Sequence, residues 1–444
     1  MDATRTPTET VPSTGLRGEA RKVLASSYLG STIEYYDFLL YATASALVFP
    51  HVFFTNLSPL AGTIASYGTF AAGYLARPLG GAIFGHFGDK LGRKKMLILS
   101  MLIMGVASTC IGLIPSAATI GSWGAVILIL LRVCQGVAVG GEWGGAALMA
   151  LEHTADGKRG FAAAFANAGA PTGAALGTLV LGLASTTLSG DAFLSWGWRI
   201  PFLLSVVLLV VGLVVRARIS ESPLFLAALA KAEADDAAKV KLPLWAVLRR
   251  PKALIYVMLA GASGFALQVV QATFAVSYAS EHGAPRSGVL YMFAIASIVS
   301  IAFVLGFARV SDRVGRRPLM VAGLVLFVAY LYPMFALLRS GNLGLILLAF
   351  TVGLALHAMM FGPLAAFVSE QFGTTSRYTG ASLGYQLATL LGAGFTPTIL
   401  ASLFGADGNL HAVIGYLAAL AVVSAIFILL TRETKDVDLA EQEQ

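Results

Sequence analysis

The sequence predicts an all-α integral membrane protein with twelve transmembrane helices in two related halves, and three observations carry that prediction. The first is composition. Of 444 residues, 57% are hydrophobic and 12% charged, and the mean hydropathy is +0.79. A soluble fold of this content would have a largely greasy surface, so lipid is the solvent it suits. The second is the recurrence of apolar runs long enough to span a bilayer. The third is a duplication: GHFGDKLGRKK at 85–95 comes back as ARVSDRVGRR at 308–317. In both copies an apolar run stops at Asp-Lys/Arg-x-Gly-Arg-Lys/Arg and another begins within a few residues. Each copy is therefore a tight hairpin between two membrane helices, its glycine allowing the turn. Two related halves around a central site is an architecture of secondary transporters.

Apolar runs of roughly 18 to 27 residues place helices at 24–49, 61–86, 96–115, 123–150, 160–186 and 199–217 in the first half. The second half has them at 253–280, 287–309, 318–338, 342–368, 378–403 and 410–431. Residues 1–23 are polar, lack the short apolar core and cleavage site of a signal peptide, and read as a tail. From 218 to 252 charge density rises, with Lys231, Glu233, Asp235, Asp236, Lys239 and Lys241 in an Ala-rich stretch. This is a solvated connector between a bundle at 24–217 and a second at 253–431. The segment 432–444 is a second tail, too short for a coiled coil.

Basic residues fix the orientation. With the N-terminus inside, one side receives Arg17, Arg21, Lys22, the 90–95 cluster, Lys158, Arg159, the 216–252 loop, residues 309–317, Arg377, Arg432 and Lys435. The other receives almost none beyond Arg199, Arg286 and Arg339. Both termini are expected in the cytoplasm. The net charge of +7 is thus a topology signal and does not imply nucleic acid. Cys110 and Cys134 lie inside apolar runs and imply no disulfide framework.

Four ionisable residues fall deep in the apolar runs. At 1.5 Å per residue, Glu34 and Asp37 lie about 15 to 20 Å into the first helix, and Arg77 and Arg132 are similarly deep. Each costs roughly 2.5 to 3.5 kcal/mol or more at that depth, so it should face a partner or a wet cavity. Glu34 and Asp37 are three residues apart and are expected to share a helix face. Burial favours the neutral carboxyl and a nearby guanidinium favours the carboxylate. A carboxylate that exchanges arginine for water as a cavity alternates can therefore carry a proton. Asp37 is the first candidate and Glu34 the second, with a purely structural ion pair as the alternative.

Arg132 is expected to pair with that carboxylate, or to hold a substrate carboxylate in its planar fork. Arg77 could do the same or simply snorkel. Glu142, in a glycine-rich stretch, suits a structural role. In the second half Gln268, Gln271, His357, Tyr385 and Gln386 sit at comparable depth and suit hydroxyl and carboxylate recognition. His357 is either titratable or a hydrogen-bonded packing residue. Tyr36 joins the binding set, and Tyr35, Tyr41 and Tyr278 line the cavity or pack.

A second repeat concerns the helix ends. Glu152 lies seven residues before Arg159, and Glu370 seven before Arg377. Asp89, Arg93, Glu152 and Arg159, with Asp312, Arg316, Glu370 and Arg377, are expected to form a gate network when that side is closed. Their other reading is plain solvation of helix ends.

The two hairpins resemble the signature of the major facilitator superfamily, and RVCQGVAVGGEWGG from Arg132 resembles its fourth-helix motif. STIEYYDFLLY, FAAGYLARPLGGAIFGHFGD, GGEWGGAALMALEH, WGWRIPF, ESPLF and RYTGASLGYQLA resemble the metabolite:proton symporter family, over about residues 25–431. Ala308 stands where the first hairpin has Gly85, which predicts looser packing there. The resemblance implies a major facilitator fold of two pseudo-symmetric six-helix bundles in a bacterial inner membrane. It also implies symport of protons with a small polar organic acid, such as shikimate or a di- or tricarboxylate, by a monomer without a cofactor. A P-loop, a metal-ligand cluster and a GxSxG nucleophile motif are missing from the sequence, which argues against an ATPase or another enzyme. Three alternatives stand beside this. One is a proline/betaine-type zwitterion symporter, although such carriers often have a long coiled-coil tail. Another is a proton-driven exporter, prompted by NAGAPTGAALG at 167–177. The last is a membrane sensor that binds a metabolite without moving it.

Overall fold

The computed structural model describes residues 13–91, 93–140, 159–217, 251–372, 377–405 and 407–435, and their side chains outside 13–23, 82, 85–94 and 377–378. Among the described residues twelve rods cross the molecule, and no strand occurs. In the first half they are α1 (Ser13–Leu47), α2 (Pro59–Leu91), α3 (Arg93–Leu113), α4 (Trp123–Gly140), α5 (Arg159–Thr187) and α6 (Arg199–Ala217). In the second they are α7 (Pro251–Ala272), α8 (Arg286–Val314), α9 (Arg316–Leu338), α10 (Leu343–Glu370), α11 (Arg377–Thr389) and α12 (Leu410–Leu430). Ten of the rods are long and apolar enough to cross a membrane. The other two are α1 and α2, whose apolar character is diluted by Glu34, Asp37 and Arg77 and by many small residues. Outward-facing Leu79, Val207 and Val210 leave more than half of their surface exposed, as lipid contact requires.

Two rods are interrupted where the apolar pattern predicts none. α7 breaks at Thr273 and resumes as Phe274–Glu281. A break frees a carbonyl, and the Thr43 hydroxyl of α1 donates to the Ala272 carbonyl at 3.1 Å. α11 passes through a π turn at Leu390–Gly394 into Thr396–Phe404. The hairpin glycine behaves as its motif requires: Gly315 has φ +108°, a conformation that side-chain-bearing residues rarely adopt. The expected looseness at Ala308 is not found. Ala308 is fully buried, and Gly362 of α10 lies against it and makes room for the methyl group.

Between helices in lipid, van der Waals contact drives association, and small residues let backbones approach. A Cβ on Gly136 would overlap the Gly73 carbonyl, and one on Gly140 the Arg77 carbonyl, so α2 and α4 touch main chain to main chain. Gly169 and Gly173 of α5 meet α1 at Tyr28, Thr32 and Tyr36 in the same way. The seam between the halves runs along α5 against α8 and α10, and along α2 against α11 and its continuation.

Gly136→Ala is expected to reduce the yield of monodisperse protein in detergent and to lower its melting temperature, at a cost of about 1 to 3 kcal/mol for overpacking. Gly306→Ala, at a position with nothing within 4 Å of an added Cβ, should match the parent in both measurements.

Candidate functional site

Asp37 is buried in the first half, and its neighbours come from three other helices. The Ser205 hydroxyl of α6 donates to its Oδ1 at 2.7 Å, and the Ser108 hydroxyl of α3 hydrogen-bonds to the same carboxyl. Gln135 Nε2 of α4 donates to Ser108 Oγ at 2.6 Å, and Arg132 Nη1 donates to Gln135 Oε1 at 3.0 Å. Donation therefore runs one way, from guanidinium through amide and hydroxyl to carboxylate. The direct Arg132–Asp37 pair expected from the sequence is replaced by this relay, because Gln135 and Ser108 stand between the two charges. Arg316, in the second half, does form direct ion pairs, to Asp312 and Glu370.

The two deep arginines are held by rings. The Arg132 guanidinium carbon lies 4.0 Å from the Phe38 centroid and 4.2 Å from that of Tyr41. That of Arg77 lies 4.0 Å from Phe38 and 4.2 Å from Tyr74. Desolvated contacts of this kind contribute about 2 kcal/mol or more each. Arg132 is fully buried, and its Nε and Nη2, like Nε of Arg77, have no hydrogen-bond partner.

Glu34 and Asp37 do not share surroundings, although they are three residues apart. Asp37 turns into the first half, whereas the charge of Glu34 reaches Tyr74 of α2 and Tyr385 of α11. Beside it the Tyr35 and Tyr385 hydroxyls meet at 2.8 Å and join the two halves. Tyr36 donates to the Pro201 carbonyl at 2.7 Å and Tyr41 pairs with Thr69 at 2.6 Å, so both hydroxyls are engaged within the first half.

A small cavity, with room for little more than a water molecule, lies between the halves. Leu39 of α1 and Pro171 and Ala174 of α5 form one wall, and Gln268, Ser297, Ser300 and His357 give the polar side. Of the sequence-predicted binding set, Gln268 and His357 line it. Arg77, Arg132, Tyr36, Gln271, Tyr385 and Gln386 are not among its lining residues. His357 Nε2 lies 3.0 Å from the Gly264 carbonyl, and its ring stacks on Phe361 at 5.0 Å.

A second polar cluster sits at the end of the bundle where α8 turns into α9. Arg316, nearly inaccessible, pairs with Asp312 at 2.7 Å and with Glu370 at 3.3 Å. Asp312 also caps α5 of the other half, accepting from the Gly160 and Phe161 amides at 2.9 and 3.0 Å. An anion there complements the helix N-terminus. A Cβ on Gly160 would come within 2.7 Å of both Asp312 and Arg316, so the approach needs glycine. The chain beyond α12 closes over this cluster: Glu433 accepts from the Arg316 and Arg317 amides at 3.0 Å each, and Thr434 donates to Glu370 at 2.6 Å. Asp312, Arg316 and Glu370 are thus brought together, and Arg159 opens α5. The side chains of Asp89, Arg93, Glu142, Glu152 and Arg377 lie outside the described residues.

The family model described as Major Facilitator Superfamily matches residues 38–381 and 260–444. The chain belongs to the major facilitator superfamily. Among its relatives, the inner membrane metabolite transport protein YhjE of Escherichia coli K12 is 42% identical over 421 residues, covering 93% of this chain and 94% of its own. The shikimate transporter of the same organism is 38% identical, covering 98% and 100%. Its proline/betaine transporter is 34% identical, covering 94% and 84%. In fold the chain is similar to the xylose transporter XylE from E. coli in a partially occluded inward open conformation. That match has a TM-score of 0.73 at 19% identity and covers 95% of this chain and 100% of the other. This facilitator is therefore a membrane transport protein and not an enzyme.

Sequence reasoning missed Ser108, Ser205 and Gln135 around Asp37, Phe38 between the arginines, Ser297 and Ser300 in the cavity, and the Glu433 clasp. Only Gln135 carried a local signal, since it follows Arg132 by three residues.

Burial pushes the Glu433 carboxyl up, but the Arg316, Arg317, Thr434 and Lys435 amides outweigh it and hold the group below its ordinary value of 4.5. A depressed carboxyl contributes stability above its unfolded value and loses it as pH falls through the folded one. The parent should therefore melt above Glu433→Gln by a constant margin from about pH 5 upward, and the margin should shrink towards zero in more acid buffer.

Proposed function

We propose that this facilitator is a proton-coupled symporter importing a small polar organic acid across the bacterial inner membrane. In this reading 24–217 and 253–431 are six-helix bundles that rock about a midplane site. The linker at 218–252 and the tails at 1–23 and 432–444 are cytoplasmic, and the carrier works as a monomer. The observation that carries the proposal is the one-way donor chain from Arg132 through Gln135 and Ser108 to Asp37.

The chain satisfies a carboxylate and is mismatched to a carboxylic acid, which must itself donate. A proton on Asp37 obliges Ser108 or Ser205 to turn from donor to acceptor. It also removes a negative charge that compensates Arg132 and Arg77 in an interior where uncompensated cations are expensive. A substrate carboxylate supplies that charge again. Proton and anion are then favourable together and unfavourable singly, which is the logic of symport, with Glu34 as the second proton candidate. Asp312, Arg316 and Glu370 act as the cytoplasmic gate on the α5 terminus, and Arg377 joins them by the repeated spacing. Asp89, Arg93, Glu152 and Arg159 are their counterparts by duplication. A zwitterion carrier is the second reading, supported by the relative that is a proline/betaine transporter.

Asp37→Asn keeps the shape and cannot ionise. It is expected to abolish uptake driven by a pH gradient while preloaded vesicles still exchange substrate, and Ser108→Ala should weaken coupling less. Parental pH-driven uptake in Asp37→Asn would rule out Asp37 as the proton carrier, whereas loss of both activities with a low melting temperature would mark a structural group. Asp312→Asn should slow uptake several-fold and leave substrate affinity within about twofold, because only contacts at the gate change; uptake rates measured across substrate concentrations test this.

A further inference from the structure

At the end of the seam opposite Asp312, the start of α8 reaches across to the first half twice. The Arg286 guanidinium carbon lies 5.7 Å from the ring centroid of Phe193, in the turn Phe193–Gly197, and the Tyr291 hydroxyl meets that of Thr186 at 2.8 Å. His51 stands beside this closure. Its short helix Phe49–Phe53 sets both phenylalanine rings on Trp198, at 5.8 and 5.7 Å, directly after the turn that carries Phe193. Burial and the Arg286 guanidinium hold the His51 ring below its ordinary value of 6.5, against a hydrogen bond to the Leu47 carbonyl. The ring is therefore neutral at pH 7 and becomes a cation only in acid.

The other charged groups at this end are engaged elsewhere. Arg199 donates to the Ser195 and Ile114 carbonyls, and Glu281 accepts from Ser277 at 2.9 Å while its charge reaches Tyr67 of α2. Asp191 is exposed, two residues before the turn. The end of α1 and the short helix Ala117–Ile120, which also pack on Phe49–Phe53, bring no charge here. Among the described residues no carboxylate acts on the His51 ring or on Arg286. A proton on His51 thus sets two cations of opposite halves against each other with nothing to compensate them.

We propose that His51 and Arg286 form an acid-sensitive release for this closure, so that a proton on His51 opens the end of the carrier where α8 begins. The proposal rests on the transport reading above, which places that end outside the cell. While the halves are closed, the imidazole binds its proton less tightly than it does once Arg286 has moved away with α8. By linkage, acid shifts the population towards the open form. Each pH unit between the two affinities is worth about tenfold in that equilibrium once the ring is fully protonated. The release is separate from the coupled proton. It sets how often the site is presented to the acid side, whereas Asp37 sets what is carried with the substrate.

The test uses the full-length protein with Cys110 and Cys134 replaced by alanine and spin labels on Gly190→Cys and Ser402→Cys, exposed positions of the two halves at this end. Label separation is measured by double electron–electron resonance in lipid nanodiscs between pH 8 and pH 5. In the parent the longer distance is expected to be severalfold more populated at the acid limit. His51→Gln and Arg286→Gln should each flatten that response, and Asp37→Asn should keep it. A parent profile that ignores pH overturns the release, as does a full response in His51→Gln or Arg286→Gln, or its loss in Asp37→Asn. Two further measurements test the reading beneath it. If a membrane-impermeant maleimide fails to label Gly190→Cys in intact cells, the orientation is wrong and the release works at the opposite face. Parental pH-driven uptake in Asp37→Asn sinks the coupling assignment and leaves the release standing.

Discussion

Main-chain contact between α1 and α5, and between α2 and α4, sets the position of everything polar in the interior. A Cβ on Gly73 would fall 2.7 Å from Arg132 Nε, and one on Gly173 would collide with the Tyr36 amide and the Thr32 carbonyl. The glycines therefore do more than allow close packing. They bring α2 and α4 near enough for Arg77 and Arg132 to share the Phe38 ring, and they seat α1 so that Asp37 turns towards α3 and α6. In lipid, where apolar burial gives helices little reason to associate, such contacts supply the rigidity that polar groups need for fixed partners.

The contacts between the halves differ in kind along the seam. Where α8 turns into α9 they are charge-assisted, with Asp312 received by two amides of α5 and backed by Arg316 and Glu370. In the middle and at the far end neutral hydrogen bonds cross it: Tyr35 with Tyr385, Asn167 with the Phe361 carbonyl, Thr186 with Tyr291 at 2.8 Å. Charge-assisted bonds are about twice as strong as neutral ones. Rocking one half against the other thus meets a stiffer latch at one end than at the other.

What could be read from the sequence follows the range of the interaction. Glu34, Asp37, Arg77 and Arg132 stand out because a charge inside an apolar run is rare whatever surrounds it, and the duplicated hairpin announces Asp312 and Arg316. The partners were another matter. Ser108 and Ser205 are ordinary membrane serines until helix rotation aims them at Asp37. Three-residue spacing suggested a common site for Glu34 and Asp37, yet residues three apart also diverge enough to meet different helices. The break in α7 at Thr273 leaves no mark on hydropathy, since its freed carbonyl is met from the other half by Thr43. The cavity serines escaped notice for the same reason, because no residue pattern displays which helix faces meet at the cavity.

The reception of Asp312 by main-chain amides has a consequence for how this latch tolerates change. An ion pair between two side chains is lost when either residue mutates. Here one partner is the backbone of α5, which every residue except proline supplies, and the only demand on that side is a residue small enough at Gly160. Side chains along the start of α5 are thus free to drift while the latch persists, and its heritable weak point is concentrated in the acid that reaches across.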